Sequence, residues 1–156
     1  ANECIDERRK RGLNGLVCKL DIKKTYDHVN WAFLLALMRK MGFNSKWVLW
    51  INRCISTVSL SVLVNGSPAD FFRTSQGLRQ GDPLSPFLFV IVMEALSRMI
   101  SRAVEGDMIQ GFEVANGTED SITTSHLLFA DDTIILCGAK ESQLRFLRCV
   151  LLCFEA

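Results

Sequence analysis

The segment SHLLFADDTIILC, residues 125–137, decides the fold because two apolar runs flank a short acidic corner. Runs of this length and composition predict strands, and the corner Ala130-Asp131-Asp132 is short enough for a tight antiparallel hairpin. Neighbouring carboxylates at such a corner repel each other, and the apolar flanks offer them no partner. A divalent cation such as Mg²⁺, which takes hard carboxylate oxygens, would relieve this repulsion. A solvent-exposed turn is the alternative, because Asp is a favoured turn residue.

An earlier strand supplies a third acid. Residues 16–22, LVCKLDI, are typical of a buried strand that carries Asp21 near its C-terminal end. If this strand lies beside the hairpin, Asp21, Asp131 and Asp132 share one site. Three carboxylates can hold two metal ions about 3.5–4 Å apart, an arrangement that catalyses in-line phosphoryl displacement. We therefore expect nucleotidyl transfer, with phosphodiester hydrolysis by a metal nuclease as the alternative.

Two helices are predicted after this strand. Asn30 can cap a helix whose apolar residues repeat at spacings of three and four and which stops at Gly42. A second helix runs from Ser45 to about Ile55 and places Trp47 and Trp50 on one apolar face. Such a face is more often core than a base-stacking surface, so we assign both tryptophans to packing.

The rest of the chain alternates strands with helices. Residues 58–64 predict a strand and are followed by Asn65-Gly66, a strong hairpin signal. The partner strand contains Phe71 and Phe72. A long apolar helix is predicted over residues 83–104, with Pro83 in its first turn. A strand over 109–114 and a final helix from near Lys140 complete the pattern. This order of elements predicts an α+β fold with a largely antiparallel sheet.

The composition is typical of one globular domain. The chain has 156 residues, of which 49% are hydrophobic and 22% charged, a balance that supports a sizeable core. No uncharged apolar stretch approaches the roughly 20 residues that a bilayer requires. Residues 1–11 are too polar for a secretory signal. We expect neither a membrane partner nor secretion.

Cysteines, histidines and charge point to no other kind of site. The six cysteines contain no CxxC pair and the two histidines lie far apart, which favours reduced core thiols over disulfides or zinc. Residues 1–53 carry 11 Lys or Arg against 5 Asp or Glu, whereas residues 54–156 carry 7 against 12. A basic half can face phosphates, although the run Arg8–Arg11 equally suits the solvated end of a helix.

Three segments in order resemble motifs A, B and C of reverse transcriptases, especially those of plant non-LTR (LINE-type) retrotransposons. They are LDIKKTYDHVNW (residues 20–31), SQGLRQGDPLSP (75–86) and FADD (129–132). Each motif alone is moderately specific, but three in the right order are highly specific. The resemblance covers nearly the whole chain and implies an RNA-directed DNA polymerase that transfers nucleotides from dNTP to a primer 3′-hydroxyl.

The resemblance also implies roles for the residues that match the motifs. The catalytic carboxylates would be Asp21, Asp131 and Asp132, and with the backbone carbonyl of Ile22 they would bind two Mg²⁺ ions, or Mn²⁺. The nucleotide-binding residues would be Thr25, Tyr26, Gln80 and Gly81, and the template and primer contacts Arg79 and Phe129. The ring of Tyr26 would clash with a 2′-hydroxyl and so select deoxynucleotides. Outside the motifs, Tyr26 suits ordinary core, Gln80 a turn, Arg79 a surface cation and Asp82 a helix cap.

The implied architecture is the palm subdomain of a right-hand polymerase, with an antiparallel sheet packed on helices. Residues 1–156 would form a partial palm domain without fingers and thumb, expected to be inactive in isolation. Its partners would be RNA template, DNA primer, dNTP and the other regions of a parent polyprotein, including any endonuclease. The family implies a nuclear or cytoplasmic location without choosing between them. Lys23 and Thr25 replace residues that are commonly Glu and Ala in relatives, so a catalytically inactive remnant that binds nucleic acid weakly is the alternative.

Overall fold

The chain folds as helices and antiparallel sheets in two compact units. The computed structural model describes residues 2–21, 25–115, 121–129 and 132–155. One unit contains Ala1–Lys23 and Met93–Ala156, and the other contains Lys24–Val92. The α+β class predicted from the sequence is confirmed. In chain order the elements are α1 (Asn2–Lys10), β1 (Gly15–Asp21), α2 (Thr25–His28), α3 (Trp31–Lys40), α4 (Ser45–Ser56), β2 (Ser59–Val64), β3 (Ser67–Arg73), α5 (Ser85–Glu105), β4 (Phe112–Ala115), β5 (Ser121–Thr124), β6 (His126–Phe129), β7 (Asp132–Gly138) and α6 (Glu141–Glu155).

The first unit is built on an antiparallel sheet in the order β1-β7-β6, beside a separate β4–β5 pair. One end of this sheet packs on a small core formed by Cys4, Phe112 and Leu136. The guanidinium of Arg8 lies 4.3 Å from the centre of the Phe112 ring and donates to the carbonyl of Asn14 at 2.7 Å. Part of the basic run near the N-terminus is therefore structural.

The glutamine Gln143 ties α6 to the end of β7. Its side chain is buried, and its Oε1 accepts hydrogen bonds from the backbone N–H of Gly138 at 2.7 Å and of Gln110 at 3.3 Å. A buried N–H without a partner costs about 1–3 kcal/mol. This side chain therefore satisfies two backbone N–H groups near the end of β7.

The second unit contains the two predicted helices, α3 and α4, after the short α2. The side chain of Asn30 accepts from the N–H of Phe33 and so caps α3, while Gly42 follows the helix with a φ of +86°. In α4 the buried residues are Val48 and Ile51. The assignment of both tryptophans of α4 to packing was wrong, because Trp47 is 55% exposed and Trp50 is 53% exposed.

The β2–β3 hairpin turns at Asn65-Gly66, as predicted, with positive φ at both residues. Two successive positive φ values are the signature of the hairpin turn that matches strand twist. The hairpin leaves a large apolar surface exposed. Its exposed apolar side chains are Val62, Leu63, Val64, Phe71 and Phe72.

The long helix α5 carries seven of the 21 buried apolar residues in the described part of the chain. It begins at Ser85, so Pro83 lies in the turn before the helix and not in its first turn. Buried residues recur along it at helical spacing: Leu88, Phe89, Val92, Met93, Leu96, Ile100 and Ala103. No helix in the described part of the chain has the length and apolarity needed to cross a membrane.

The cysteine prediction is partly corrected. All six cysteines are free, in agreement with reduced thiols. Cys4 and Cys137 are buried and Cys18 is half-buried, but Cys54, Cys149 and Cys153 are exposed. Only half of the thiols therefore belong to buried or partly buried positions.

Candidate active site

Two of the predicted catalytic carboxylates lie opposite each other at the end of the three-stranded sheet where β1 ends and β7 begins, here termed the acidic edge. Asp21 is the last residue of β1 and Asp132 is the first residue of β7, and the antiparallel register pairs them directly. Side chains of directly opposed residues share a face, with Cβ atoms about 4.5–5.5 Å apart. The expectation that the strand of Asp21 lies beside the hairpin is confirmed.

This edge offers the chemistry of a divalent metal site. Both Asp21 and Asp132 are exposed, and like charges directly opposite each other in a ladder are destabilising. Mg²⁺ usually binds through one or two carboxylates and completes its coordination with water and substrate phosphate. The two carboxylates fit such a site.

The remaining predicted ligands, Ile22 and Asp131, lie outside the described residues. The described ranges alone contain no group of three or more His, Cys, Asp or Glu side chains that could hold a metal ion. The roles assigned to all four ligands stay predictions.

A lysine that sequence reasoning missed shares this edge. Lys19 precedes Asp21 by two residues and so lies on the same face of β1, and its Nζ is 3.0 Å from Oδ1 of Asp132. Both side chains are more than half exposed, so the ion pair contributes about 0–1 kcal/mol. The period-two pattern of the strand was the signal that could have placed Lys19 beside the acids.

Phe129 also faces this edge. It is the last residue of β6 and pairs with Asp132 across β6 and β7, so its ring lies on the face of the two carboxylates. The side chain is 82% exposed. An exposed ring beside the acids is available to a ligand, and its predicted contact with the primer stays a prediction.

The residues predicted to bind the nucleotide lie in the second unit. Three hydrogen bonds join motif A to motif B: Leu78 N–H to Tyr26 O at 2.6 Å, Gly77 N–H to Val29 O at 2.8 Å, and Trp31 Nε1–H to Gly77 O at 2.6 Å. Motif B is therefore held against α2 and α3 mainly through the backbone. This contact requires glycine at position 77, where φ is +90° and a Cβ would lie 2.7 Å from the carbonyl oxygen of Asp27.

Tyr26 is held by an aromatic contact within this unit. Its ring stacks on the buried Phe89, with centroids 4.8 Å apart and an interplanar angle of 23°. Thr25, the first residue of α2 and the residue before Tyr26, is half-buried. A stacked ring has a defined position, which a steric selector of sugars needs. The structure brings neither residue into the cavity described next.

Motif B forms one side of a cavity of about 460 Å³. Two predicted site residues, Arg79 and Gln80, line it, as does Asp27 of motif A, which was not among the predicted site residues. Gly81 is not among the lining residues, and its φ of +84° is the reason for glycine there. The other lining residues are Cys54, Ile55, Val58, Leu60, Thr74, Gln76, Gly77, Leu78, Asp82, Leu84, Ser85 and Leu88.

Asp82 was predicted to cap a helix that begins at Pro83, but α5 begins at Ser85, and Asp82 instead holds the turn before the helix. Its Oδ1 accepts from the N–H of Leu84 at 2.8 Å, and its carbonyl accepts from the N–H of Ser85 at 3.2 Å. These bonds satisfy the backbone N–H of Leu84, in the turn before α5, and of Ser85, the first residue of the helix.

A histidine of β6, the strand before the predicted acidic corner, links that strand to α5 by a side-chain hydrogen bond. His126 Nε2 is 2.7 Å from Oγ of Ser97, and His126 Nδ1 is 2.9 Å from Oγ of Ser125. Burial lowers the pKa of His126 from its ordinary value of 6.5, and the charge of Glu94 partly opposes this shift. The bond to Ser97 spans 29 residues, so periodicity within β6 could not have revealed it.

The depressed pKa of His126 predicts a pH-dependent stability. Between pH 6.5 and the lower pKa of the folded state, the unfolded chain binds more protons, so the free energy of unfolding falls as the pH drops through this window. Urea unfolding at a series of pH values should show this loss. His126→Gln should remove it, whereas His28→Gln at an exposed site should not. A loss that survives His126→Gln would contradict the assignment.

Comparisons with known proteins agree with the motifs. The family model described as "Reverse transcriptase (RNA-dependent DNA polymerase)" matches residues 2–156. An uncharacterized mitochondrial protein of Arabidopsis thaliana is 47% identical over 74 residues, which cover 47% of this chain and 58% of that protein. A retrovirus-related Pol polyprotein from the type-1 retrotransposable element R2 of Popillia japonica is 31% identical over 85% of this chain and 20% of the relative. The corresponding polyprotein from the type-2 element R2DM of Drosophila melanogaster is 28% identical over 80% of this chain and 11% of the relative.

Proposed function

Because the chain belongs to the reverse transcriptase family, we propose that it is a partial palm domain of a retroelement RNA-directed DNA polymerase. The observation that carries the proposal is the pairing of Asp21 with Asp132 at one sheet edge. The chain spans 58% of the Arabidopsis relative and 20% or less of the R2 polyproteins. The activity therefore belongs to a longer polypeptide to which this domain contributes carboxylates and nucleotide contacts.

The carboxylates would act by holding metal ions at a fixed position. Asp21 and Asp132, with Asp131 and the carbonyl of Ile22, would bind two Mg²⁺. The bound Mg²⁺ would supply positive charge for attack of the primer 3′-hydroxyl on the α-phosphate of a dNTP, with pyrophosphate as the leaving group. The antiparallel register supports this role, because it fixes two of the ligands on one face. Lys19 would orient Asp132 through the 3.0 Å ion pair.

The second unit would recognise the incoming nucleotide and the template. Arg79 and Gln80 line the same cavity, where a guanidinium can bind phosphate and an amide can hydrogen-bond a base. Tyr26, fixed by its stack on Phe89, would exclude the ribose 2′-hydroxyl. The partners would be RNA template, DNA primer and dNTP, and the site of action the nucleus or the cytoplasm.

Sugar selection tests this proposal directly. In an extension-competent polypeptide that contains this chain, Tyr26→Ala should raise ribonucleotide incorporation relative to deoxynucleotide by about 10- to 100-fold. Tyr26→Phe keeps the ring and should keep the selection. Single-nucleotide extension with dNTP or rNTP measures the ratio. If Tyr26→Ala selects deoxynucleotides as well as the parent does, Tyr26 is ordinary core.

The inactive remnant is the second candidate, favoured by Lys23 and Thr25 in motif A. Under this alternative the polypeptide would bind nucleic acid without Mg²⁺-dependent extension. Mg²⁺-dependent extension by a longer polypeptide that contains this chain would exclude this alternative, and binding without extension would support it.

A further inference from the structure

The helices α3 and α4 carry positive charge without any nearby acid in sequence. No Asp or Glu lies between Asp27 and Asp70. The cations in this interval are Arg39, Lys40, Lys46 and Arg53, and within the described ranges none of them forms an ion pair. Arginines on other helices do pair within a turn, such as Arg98 with Glu94 at 2.8 Å and Arg145 with Glu141 at 2.7 Å. The charge on α3 and α4 is thus available to an anionic partner.

On α4 this charge is concentrated on one face. Lys46, Trp50 and Arg53 follow each other at intervals of four and three residues, which places them in one row on the helix. The buried residues Val48 and Ile51 lie on the other side. The exposed face of α4 is therefore basic and aromatic, while its apolar face is used for packing.

The tryptophans of α4 present ring surface to solvent. Trp47 and Trp50 are about half exposed, and their centroids lie 5.5 Å apart at an interplanar angle of 69°. Nucleic-acid bases stack on exposed aromatic rings regardless of sequence, while nearby Lys and Arg follow the phosphates. Base pairs inside a duplex present no free face to such rings, so this combination favours a single strand.

The same face leads along the helix to the motif B cavity. Cys54 lies one turn after Trp50 and lines the cavity together with Arg79 and Gln80. A strand on α4 can therefore continue into the cavity without leaving the second unit.

We propose that Lys46, Trp47, Trp50 and Arg53, here termed the α4 track, bind the uncopied single-stranded RNA template on its way to the cavity. The inference rests on the proposed function only in taking the cavity as the place where template is read. Lys46 and Arg53 bind phosphates, and the two indole rings stack bases. The track accounts for the half-exposed tryptophans and for the absence of acids from this stretch.

Equilibrium binding of the 156-residue chain to a single-stranded 12-nucleotide oligouridylate, in EDTA and without dNTP, tests the proposal. The double variant K46Q/R53Q should weaken binding about 10-fold and lower the slope of log K against log salt by about 1.4, since each phosphate contact on a single strand contributes about 0.7. R102Q/R145Q removes the same charge from two arginines that are ion-paired elsewhere and is the matched control. It should change affinity and slope far less.

The stacking contribution is tested separately. W47L/W50L keeps the charge and should weaken binding by about 30-fold or more, because both stacking rings are lost, whereas W47F/W50F should retain most of the affinity. Far-UV circular dichroism checks that each variant keeps the parent's helix content.

Two outcomes would overturn the proposal. One is a K46Q/R53Q affinity no lower than that of R102Q/R145Q, and the other is equal track-dependent binding of an RNA duplex. Binding in EDTA is independent of catalysis. Track-dependent binding combined with no Mg²⁺-dependent extension by a longer polypeptide that contains this chain would therefore refute the polymerase and keep the track. Extension by that polypeptide without track-dependent binding would refute the track alone.

Discussion

Replacing Asp132 with Asn is expected to lower primer extension about 1,000-fold in an extension-competent polypeptide that contains this chain. The amide keeps the shape of the side chain but removes the negative charge opposite Asp21. Stabilisation of transition-state charge by a bound metal is worth several kcal/mol, and each 1.36 kcal/mol is a factor of ten in rate. Single-turnover extension with saturating Mg²⁺ and dNTP measures the loss.

Asp107→Asn is the matched control for this substitution. Asp107 is exposed, lies in a turn and has a φ of +56°, a conformation that Asn adopts readily. It removes the same charge without touching the sheet edge, so extension should stay within a factor of two of the parent, roughly the effect of a neutral surface change. Equal losses in the two variants would show that Asp132 has no special role. A folded Asp132→Asn polypeptide with full activity would refute the proposed metal site.

Gly77→Ala should destabilise the second unit by about 3 kcal/mol. A left-handed residue with a Cβ costs roughly 1–2 kcal/mol, and the added carbon would lie 2.7 Å from the backbone oxygen of Asp27. Moving either backbone segment away would break the hydrogen bonds that join residues 77 and 78 to Val29 and Tyr26. The urea midpoint of the 156-residue chain measures the change.

Gly66→Ala separates the two causes. Gly66 has a similar φ of +83°, but nothing lies within 4 Å of its added Cβ. This variant should therefore lose only the conformational part, about 1 kcal/mol. A Gly77→Ala chain as stable as Gly66→Ala would mean that motif B does not approach Asp27 as closely as described here.

The sequence predicted the fold best at places where a single residue position determines the local backbone geometry. Asp21 could be placed beside the hairpin because it ends a strand and the hairpin must pair with a neighbour. The turn at Asn65-Gly66 and the cap at Asn30 follow from local preferences that need no tertiary information. The acidic edge was predictable for the same reason, although β7 begins at Asp132 itself and not after it.

Features that depend on tertiary partners could not be predicted. Periodicity gave α4 an apolar face, but the neighbours cover only the part around Val48 and Ile51, which leaves the tryptophans half exposed. The helix α2 has four residues, too few for a periodic signal. The bond between His126 and Ser97 joins two elements that no local pattern connects. Lys19 could be assigned to a face of β1 but not to a partner.

The β2–β3 hairpin has a consequence for how the chain behaves at high concentration. It forms a sheet of only two strands in the described part of the chain, so each strand leaves one edge of its backbone N–H and C=O groups unpaired. Such edges template the addition of another strand, particularly when apolar side chains such as Leu63 and Phe71 are exposed beside them. Self-association through edge pairing would then limit the solubility of the isolated chain. A polypeptide that supplies a further strand at this edge would be more soluble.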